Sequence, residues 1–596
     1  MASRLVFLFL AFSVFSANAD VNIDCGASDD YTDESYLVWT GDDGLFQNSQ
    51  SAVVQSRNTL PHVMSTLRVF TTRKKNCYSI SEDRGSLLLV RASFFYGNYD
   101  GKSSPPSFDM HFDGNQWATV QTSLDQLVYY EVVYASGSDT TSICLSQTQP
   151  NQFPFISALE VTALDSKMYS YLDPIHALFL RSRVAYGADA TVRYPDDAYD
   201  RIWGPATVGS GITSVASDAI FIHTDDAPDN PPREVLQNAI TVSSTSNSIS
   251  INPGFPNQKV SIHMNLYFSE VTELDTTQKR SFKAYVDNKP KLSINFTASS
   301  NTSFLLIADP DSTLPPLVNA LEAFYISDRL TDGTNSKDVQ GISELQKAFS
   351  DVLQDFWSGD PCLPSPYTWE WTTCSSDTIP RITALDLRSF NLSGELPDFS
   401  SMDALVTINL QNNSITGPIP DFLGALPKPQ RTVRFSQRIS YNFFSGPVPP
   451  SLSSNKKLKL VVSGNPDLCV SSKSCQTTRT GGTTTSSSVP SGRRKKSSKL
   501  PVILGTTIPI FVIFWALVGF LLHNKRRTAA MAAITTGQTG GANRPGGANR
   551  PGGANNMTGE IGGAVINEIN VNFQDQTTTE NVNQSETTAL KTQPGE

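Results

Sequence analysis

From residue 21 to about 326, apolar and polar positions follow one another in short runs broken by turn residues. The runs at 87–90, 128–134, 219–223, 260–268 and 281–286 are rich in β-branched and aromatic residues and are bounded by Gly, Pro, Asp or Asn. That pattern predicts half-buried strands joined by turns. Some 300 residues exceed the ~100 to 150 of one β-sandwich, so the runs predict two sandwiches in tandem, at 20–180 and 181–330. The period then changes. Ile342, Leu345, Phe349, Val352, Leu353 and Phe356 recur at helical spacing, predicting a short amphipathic helix within a connector at 331–380.

A repeat follows at 381–475. Leu385-x-Leu387 leads to Leu392-x-Gly394-x-Leu-Pro397, and Ile408-x-Leu410-x-x-Asn413 leads to Ile415-x-Gly417-x-Ile-Pro420, a period of 23 residues from Gly394 to Gly417. This is the leucine-rich repeat length, in which each unit adds one strand to a solenoid and the Asn side chain satisfies turn backbone groups. A third unit, Ser440 to Pro449, departs from the spacing. Gly417 to Gly446 is 29 residues, Gln437 takes a position meant for a buried aliphatic, and 427–438 carries four basic residues and two prolines where a strand is due. The stretch reads as a bulged loop or as intronic sequence. Two clean units fall below the usual three, so the array must lean on its caps and on the preceding domain.

Two apolar segments bear on compartment. Arg4 precedes an apolar run at 5–15, followed by Ala17-Asn18-Ala19, which predicts a signal peptide at 1–19. Residues 500–522 hold no charged side chain, and at ~1.5 Å per residue they reach roughly 34 Å, enough to cross a bilayer as a helix. The basic flanks conflict, with Arg493, Arg494, Lys495, Lys496 and Lys499 before the segment and Lys525, Arg526 and Arg527 after it. A cleaved leader decides the orientation, because a long domain already being exported crosses largely regardless of charge. The expectation is a single-pass plasma-membrane protein with its N-terminus outside, a Thr/Ser/Gly stalk at 476–499 and a disordered cytoplasmic tail at 523–596.

Charge and cysteine usage agree with export. The net charge is -10, of which residues 20–492 carry -16, leaving no basic footprint for nucleic acid. Sequons at Asn295, Asn301, Asn391 and Asn412 are expected glycosylation sites, whereas Asn556 and Asn583 fall on the cytoplasmic side. All seven cysteines precede residue 500. Cys362 with Cys374 and Cys469 with Cys475 read as local bridges at the two ends of the repeats. Cys25, Cys77 and Cys144 remain, and their pairing is open.

Several stretches now carry a resemblance. Ile23-Asp-Cys-Gly26, Leu67-Arg-Val-Phe70, Asn76-Cys-Tyr78, Leu89-Val-Arg-Ala92 with Phe95-Tyr-Gly-Asn-Tyr-Asp-Gly101, Phe155-Ile-Ser-Ala-Leu-Glu160, Asp200-Arg-Ile-Trp203 and Pro232-Arg-Glu-Val-Leu-Gln-Asn-Ala239 resemble the plant malectin-like domain. The resemblance implies two lectin-like β-sandwiches, related to an animal lectin of the endoplasmic reticulum that binds a glucose disaccharide, and found in plants at the head of cell-surface receptors. The repeat pattern resembles the plant extracellular subtype, and Trp369-x-Trp371 with Cys362 and Cys374 is similar to its N-terminal cap. The fold class is therefore mainly β: tandem malectin-like sandwiches, a short leucine-rich-repeat solenoid, one transmembrane helix and a disordered tail.

No nucleophile elbow, zinc helix, phosphate loop or EF-hand loop occurs, and no kinase Gly-rich loop, His-Arg-Asp or Asp-Phe-Gly. The expectation is not an enzyme, with no cofactor and no metal; Asp109 and Asp113-Gly114 read as a solvated turn. For sugar binding, Tyr96, Asn98, Tyr99 and Asp100 place aromatic rings and polar groups within one turn. By the resemblance, Tyr96 falls where a ligand-stacking Tyr sits, while the neighbouring aromatic of that lectin is Gly97 here. The alternative is that Phe94, Phe95, Trp117 and Trp203 are core and that Tyr96 and Tyr99 only pack the turn. The expected function is a kinase-lacking receptor-like protein that binds a cell-wall glycan, a secreted peptide or a receptor partner and signals through a co-receptor kinase. The alternatives are a wall-anchoring scaffold and a lectin of the endoplasmic reticulum.

Overall fold

Most of the alternating runs form strands because each has one face to bury. In the strand Leu87–Phe94, Leu88, Val90, Ala92 and Phe94 all point into one core, as a period of two requires. The computed structural model describes residues 20–469, apart from 47, 56–59, 207–208, 220–221, 223, 225–226, 228, 291–294, 354–358, 426–434 and 455–457. The expected leader, stalk, membrane segment, tail and Cys475 lie outside the described residues. Among those described, no helix is long and apolar enough to cross a membrane. The run at 219–223 is a correction: residues 219 and 222 belong to no strand.

Strands Val21–Asp24, Ala158–Leu164, Leu87–Phe94 and Val128–Ala135 lie side by side, and on one face they meet the four-stranded sheet that begins at Lys75–Ser81. Strands Leu178–Ala185, Ala320–Ile326, Val260–Tyr267 and Asn295–Ala298 do the same against a second four-stranded sheet. The two groups are not separate. Val132 pairs with Phe179 and Val133 with Leu178, so both sandwiches hang from one continuous eleven-stranded sheet. Their hydrophobic cores share one side of it: Val90 and Val132 on one half, Ile262, Leu321 and Ala323 on the other. We refer to the opposite side as the far face.

Helix Ser336–Ala348 follows, capped by the Asn335 side chain, with Ile342 and Leu345 buried as the spacing predicts. It packs on the repeats, whose strands Ile382–Asp386, Thr407–Asn409, Phe435–Arg438 and Leu458–Val461 form a parallel sheet. Four strands stand where sequence suggested two clean units. Residues 435–438 complete the third, so the irregular stretch does form a strand, while 426–434 lie outside the described residues. Asn413, Asn442 and Asn465 form a ladder: Asn442 donates to Leu410 O at 2.8 Å and accepts from Ile415 N at 3.1 Å, and its neighbours repeat the pattern.

The repeat cap returns to the first sandwich. Cys362 is bonded to Cys374, as expected, and Cys77 to Cys144 across neighbouring strands; Cys25 is a buried free thiol. Cys469 is also disulfide-bonded. Lys75 Nζ donates to Asp360 O at 2.7 Å and Leu363 O at 3.0 Å, and Tyr367 Oη to Asp109 at 2.7 Å. Burial pulls the Lys75 ammonium down to about 8, against the partial support of Asp360. Gly359, at φ +61°, lies so close that a Cβ there would stand 2.6 Å from Cys77 Sγ.

Candidate functional site

The turn after Leu87–Phe94 holds all four residues expected to meet a sugar, but it is closed on itself. Gly97 has φ +46°, and a Cβ there would stand 2.6 Å from Val54 Cβ, so the turn is pressed against the neighbouring segment. Tyr96 has no exposed surface. Its ring packs edge-on against Tyr99 at 5.4 Å and contacts Phe155, and its hydroxyl donates to Asp100 at 2.5 Å. A ring enclosed in this way offers no face for a sugar, so the expectation for Tyr96 is corrected: it is a core residue with a satisfied polar tip.

The turn's remaining polar groups are also occupied. Asn98 donates to Gln55 at 3.0 Å and accepts from Ser103 N at 2.8 Å. Tyr99 is half-buried against Phe155. Asp100 accepts from Lys102 N and lies 3.1 Å from Lys102 Nζ. Burial alone would raise the Asp100 carboxyl, but Tyr96 and Lys102 outweigh it and hold it below the ordinary range. Phe94, Phe95, Trp117 and Trp203 are all core. Asp109 lies in the strand Ser107–Phe112, and the Asp113-Gly114 turn after it is not solvated: Asp113 accepts from Ser142 N at 2.7 Å, and Gly114 backs onto Leu363 of the repeat cap. Among the described residues no cluster fit for a metal occurs.

What sequence reasoning missed is a row of alternating charge on the far face. Glu160, Arg91, Glu131, Arg183 and Glu322 sit on five adjacent strands, the first three in one register row and the last two in another. Arg91 bonds Glu160 at 2.9 Å and Glu131 at 2.8 Å, and Arg183 bonds Glu131 at 2.6 Å and Glu322 at 2.7 Å. The Glu131–Arg183 link crosses the seam between the sandwiches. All five side chains are buried, roofed by the segments that precede and follow the strand Leu178–Ala185. From that roof Asp200 meets Arg91 at 2.9 Å and Arg193 at 2.6 Å, and Tyr169 donates to Glu322 at 2.8 Å. Trp203 donates to Asp197 at 2.7 Å, with the Arg201 guanidinium 5.2 Å from its ring.

The row is electrically uneven. Burial would raise every carboxyl, yet Arg183 and Arg91 hold Glu131 low, and Arg183 and Arg201 do the same for Glu322. Glu160, at the end of the row, is pushed up to about 7 by burial and by the neighbouring Asp200, which Arg91 and Arg193 hold low. A buried ionic row of this kind adds little net stability, whereas removing one of its partners would strand a buried charge. The hint in sequence was a single charged residue inside each of several apolar runs, Arg91, Glu131, Glu160 and Glu322. The four expected glycan acceptors among the described residues, Asn295, Asn301, Asn391 and Asn412, are exposed.

The profile of the malectin-like domain family matches residues 23–326, and that of the leucine-rich repeat matches 404–426. The Arabidopsis thaliana protein At1g24485, described as uncharacterized, is 34% identical over 355 residues, covering 56% of this chain and 70% of its own length. At1g05700 of the same plant, described as a "Probable LRR receptor-like serine/threonine-protein kinase", is 32% identical over 401 residues. That match covers 63% of this chain and 46% of the relative, so this chain spans under half of the kinase-bearing protein. Among solved structures, the ANX2 ectodomain from Arabidopsis thaliana is 17% identical with a TM-score of 0.44, over 52% of this chain and 97% of that one. With the family profile spanning both sandwiches and the shared sheet that joins them, the chain belongs to the malectin-like domain family, followed by leucine-rich repeats.

Proposed function

We propose that this chain is a cell-surface receptor-like protein whose malectin-like and repeat modules bind an extracellular ligand, a wall glycan, a secreted peptide or a partner receptor. In this reading residues 500–522 cross the plasma membrane once, and the signal passes to a kinase carried by a co-receptor. The chain itself is then a recognition subunit and not the enzyme. The supporting observation is that the repeat cap is fastened to the first sandwich through Lys75, Asp109 and the neighbourhood of the Cys77–Cys144 bridge. A ligand on either module would therefore meet one continuous body.

The test is to express the tagged full chain in plant cells and to isolate its complexes before and after treatment with wall oligosaccharides and secreted peptides. The expected outcome is a receptor kinase recovered only after one of these treatments. Retention on the wall with no treatment-dependent kinase would replace this reading with that of a wall-anchoring scaffold. Glycans at Asn391 that stay in the immature, high-mannose form would place the protein in the endoplasmic reticulum instead.

A further inference from the structure

The third repeat unit turns two aromatic rings to solvent where its neighbours carry polar groups. Tyr441 and Phe443 are 58% and 53% exposed, on either side of Asn442, whose side chain points inward to the ladder. Neither ring belongs to the core of the repeats. The matching positions are Ser389 and Asn391 in the first unit and Asn412 and Ser414 in the second. Ser389, Asn412, Tyr441 and Gly464 all turn the chain at φ between +54° and +78°, a conformation that Asn and Gly adopt readily and a bulky side chain does not. Tyr441 holds it with its ring laid over Gly464, where a Cβ would stand 2.7 Å from Tyr441 Cδ1. A strained aromatic presented to solvent in this way is a mark of a functional position.

The charge around these rings is one-sided. Arg438, three residues before Tyr441, and Lys459, on the neighbouring strand, are exposed and have no ion-pair partner among the described residues. Elsewhere on the surface Lys283 is paired with Asp309 at 2.5 Å and Lys337 with Asp403 at 2.7 Å. The sequence extends the bias. Residues 427–499 hold fourteen Lys and Arg against Asp467 alone, a charge of +13, whereas residues 20–426 carry -24. Only 30 residues separate Cys469 from Leu500, where the apolar segment begins.

We propose that this corner of the repeats docks on an anionic lipid surface, the outer face of the membrane that residues 500–522 enter; for that membrane the proposal rests on the receptor reading above. Amphipathic rings such as that of Tyr settle at the boundary between headgroups and hydrocarbon, and each Lys or Arg held near an anionic surface strengthens the docking about fivefold. A lipid surface fits better than a soluble partner because the cationic stretch continues up to the membrane segment itself. The same surface repels the acidic sandwiches, so docking also orients the molecule, with the end of the repeats against the bilayer and the sandwiches away from it. It gives a use to Arg493, Arg494, Lys495, Lys496 and Lys499 on the exported side, against the usual inside preference of basic flanks.

The experiment reconstitutes the full chain into vesicles of phosphatidylcholine alone, or of equal parts phosphatidylcholine and phosphatidylserine. A solvatochromic dye is attached at Ser463→Cys, beside Tyr441, whose N–H donates to Ser463 O at 2.8 Å. The control carries the dye at Leu124→Cys, an exposed position of the first sandwich; Cys25 is buried and stays unlabelled. The expected result is a blue shift from the Ser463→Cys dye on the mixed vesicles only, with none from the control. Arg438→Gln and Lys459→Gln should each lower the docked-to-free ratio about fivefold. Tyr441→Gly with Phe443→Ser, which copy the fourth and second units, should abolish the shift. A shift indifferent to these variants overturns the proposal. An alkaline carbonate wash reads the membrane segment separately: a chain that stays in the vesicles without a shift overturns the docking and leaves the receptor reading intact, while a chain that washes off after showing the shift overturns the crossing and leaves the docking. A shift on neutral vesicles that grows with protein density assigns the rings to a second copy, and one given only by soluble polygalacturonate assigns them to a wall polyanion; either overturns the lipid assignment.

Discussion

Glu160 is the residue through which pH reaches the seam. Its ordinary value of 4.5 rises to about 7 because burial disfavours the charged form and Asp200 stands beside it. A carboxyl whose folded value lies above its unfolded one binds its proton more tightly when folded. Its contribution is fully present below about 4.5 and is lost as pH rises through about 7. The thermal midpoint of the protein is therefore expected to fall between pH 5 and 8 on this account. Glu160→Gln, which mimics the protonated acid, should flatten that slope and be the more stable protein at pH 8, as read by calorimetry at several pH values. An unchanged slope in the variant would show that Glu160 does not hold the proton. Tyr96 teaches the converse lesson about single residues. An aromatic beside Asn98 and Asp100 reads in sequence as a sugar platform, yet the same composition lets a turn satisfy itself, with Tyr96 bonded to Asp100 and Asn98 to Gln55. Only the packing of Phe155 onto that turn, from a strand some sixty residues later, separates the two readings.

At the scale of elements, the repeats depend on their asparagines more than on their leucine pattern. Asn442 joins the second and third coils, donating to Leu410 O and Ile439 O and accepting from Ile415 N. Asn442→Ala strips buried backbone groups of partners at a cost of about 1 to 3 kcal/mol each, so a loss of about 3 kcal/mol is expected. Hydrogen exchange should place that loss in the repeats and spare the sandwiches; a uniform loss would contradict the ladder's local role. The ladder also explains what was legible here. The units at Leu385 and Ile408 were plain from their 23-residue period, and the same interval recurs from Asn442 to Asn465, marking a fourth unit that the irregular third obscured. The third was hard to read because Gln437 occupies the buried position of its strand, opposite Ile408 and Leu460. It survives there by donating to Leu423 O at 2.5 Å, a partner that no periodicity reveals.

For the whole molecule, the informative contacts are those between residues far apart in the chain. Helix spacing, repeat period and the strand runs other than 219–223 were local and were read correctly in kind, but the shared sheet and the returning cap were not. The two-residue pairing of Val132 and Val133 with Phe179 and Leu178 leaves no trace in alternation. Asp109 and the Asp113-Gly114 turn read as solvated because their cover, Tyr367 and Leu363, arrives some 250 residues later. Gly359→Ala tests that joint. The new methyl would collide with both sulfurs of the Cys77–Cys144 bridge, at 2.6 and 2.7 Å, from a backbone at φ +61° that alanine resists. The cap should lift away, seen as protease cleavage in the 327–335 connector and a larger radius in X-ray scattering, while the sandwiches keep their thermal midpoint. A variant as compact and resistant as the parent would mean the backbone there is free to shift.

The same joint determines how tension travels. If a ligand gripped by the first sandwich is pulled against an anchor beyond residue 469, the pull runs from the repeats through the cap into Lys75 and Asp109. The second sandwich, attached along its own seam, is bypassed as a spur. It can hold a cargo of its own without being stretched, and the ionic row beside it is sheared only after the cap has let go.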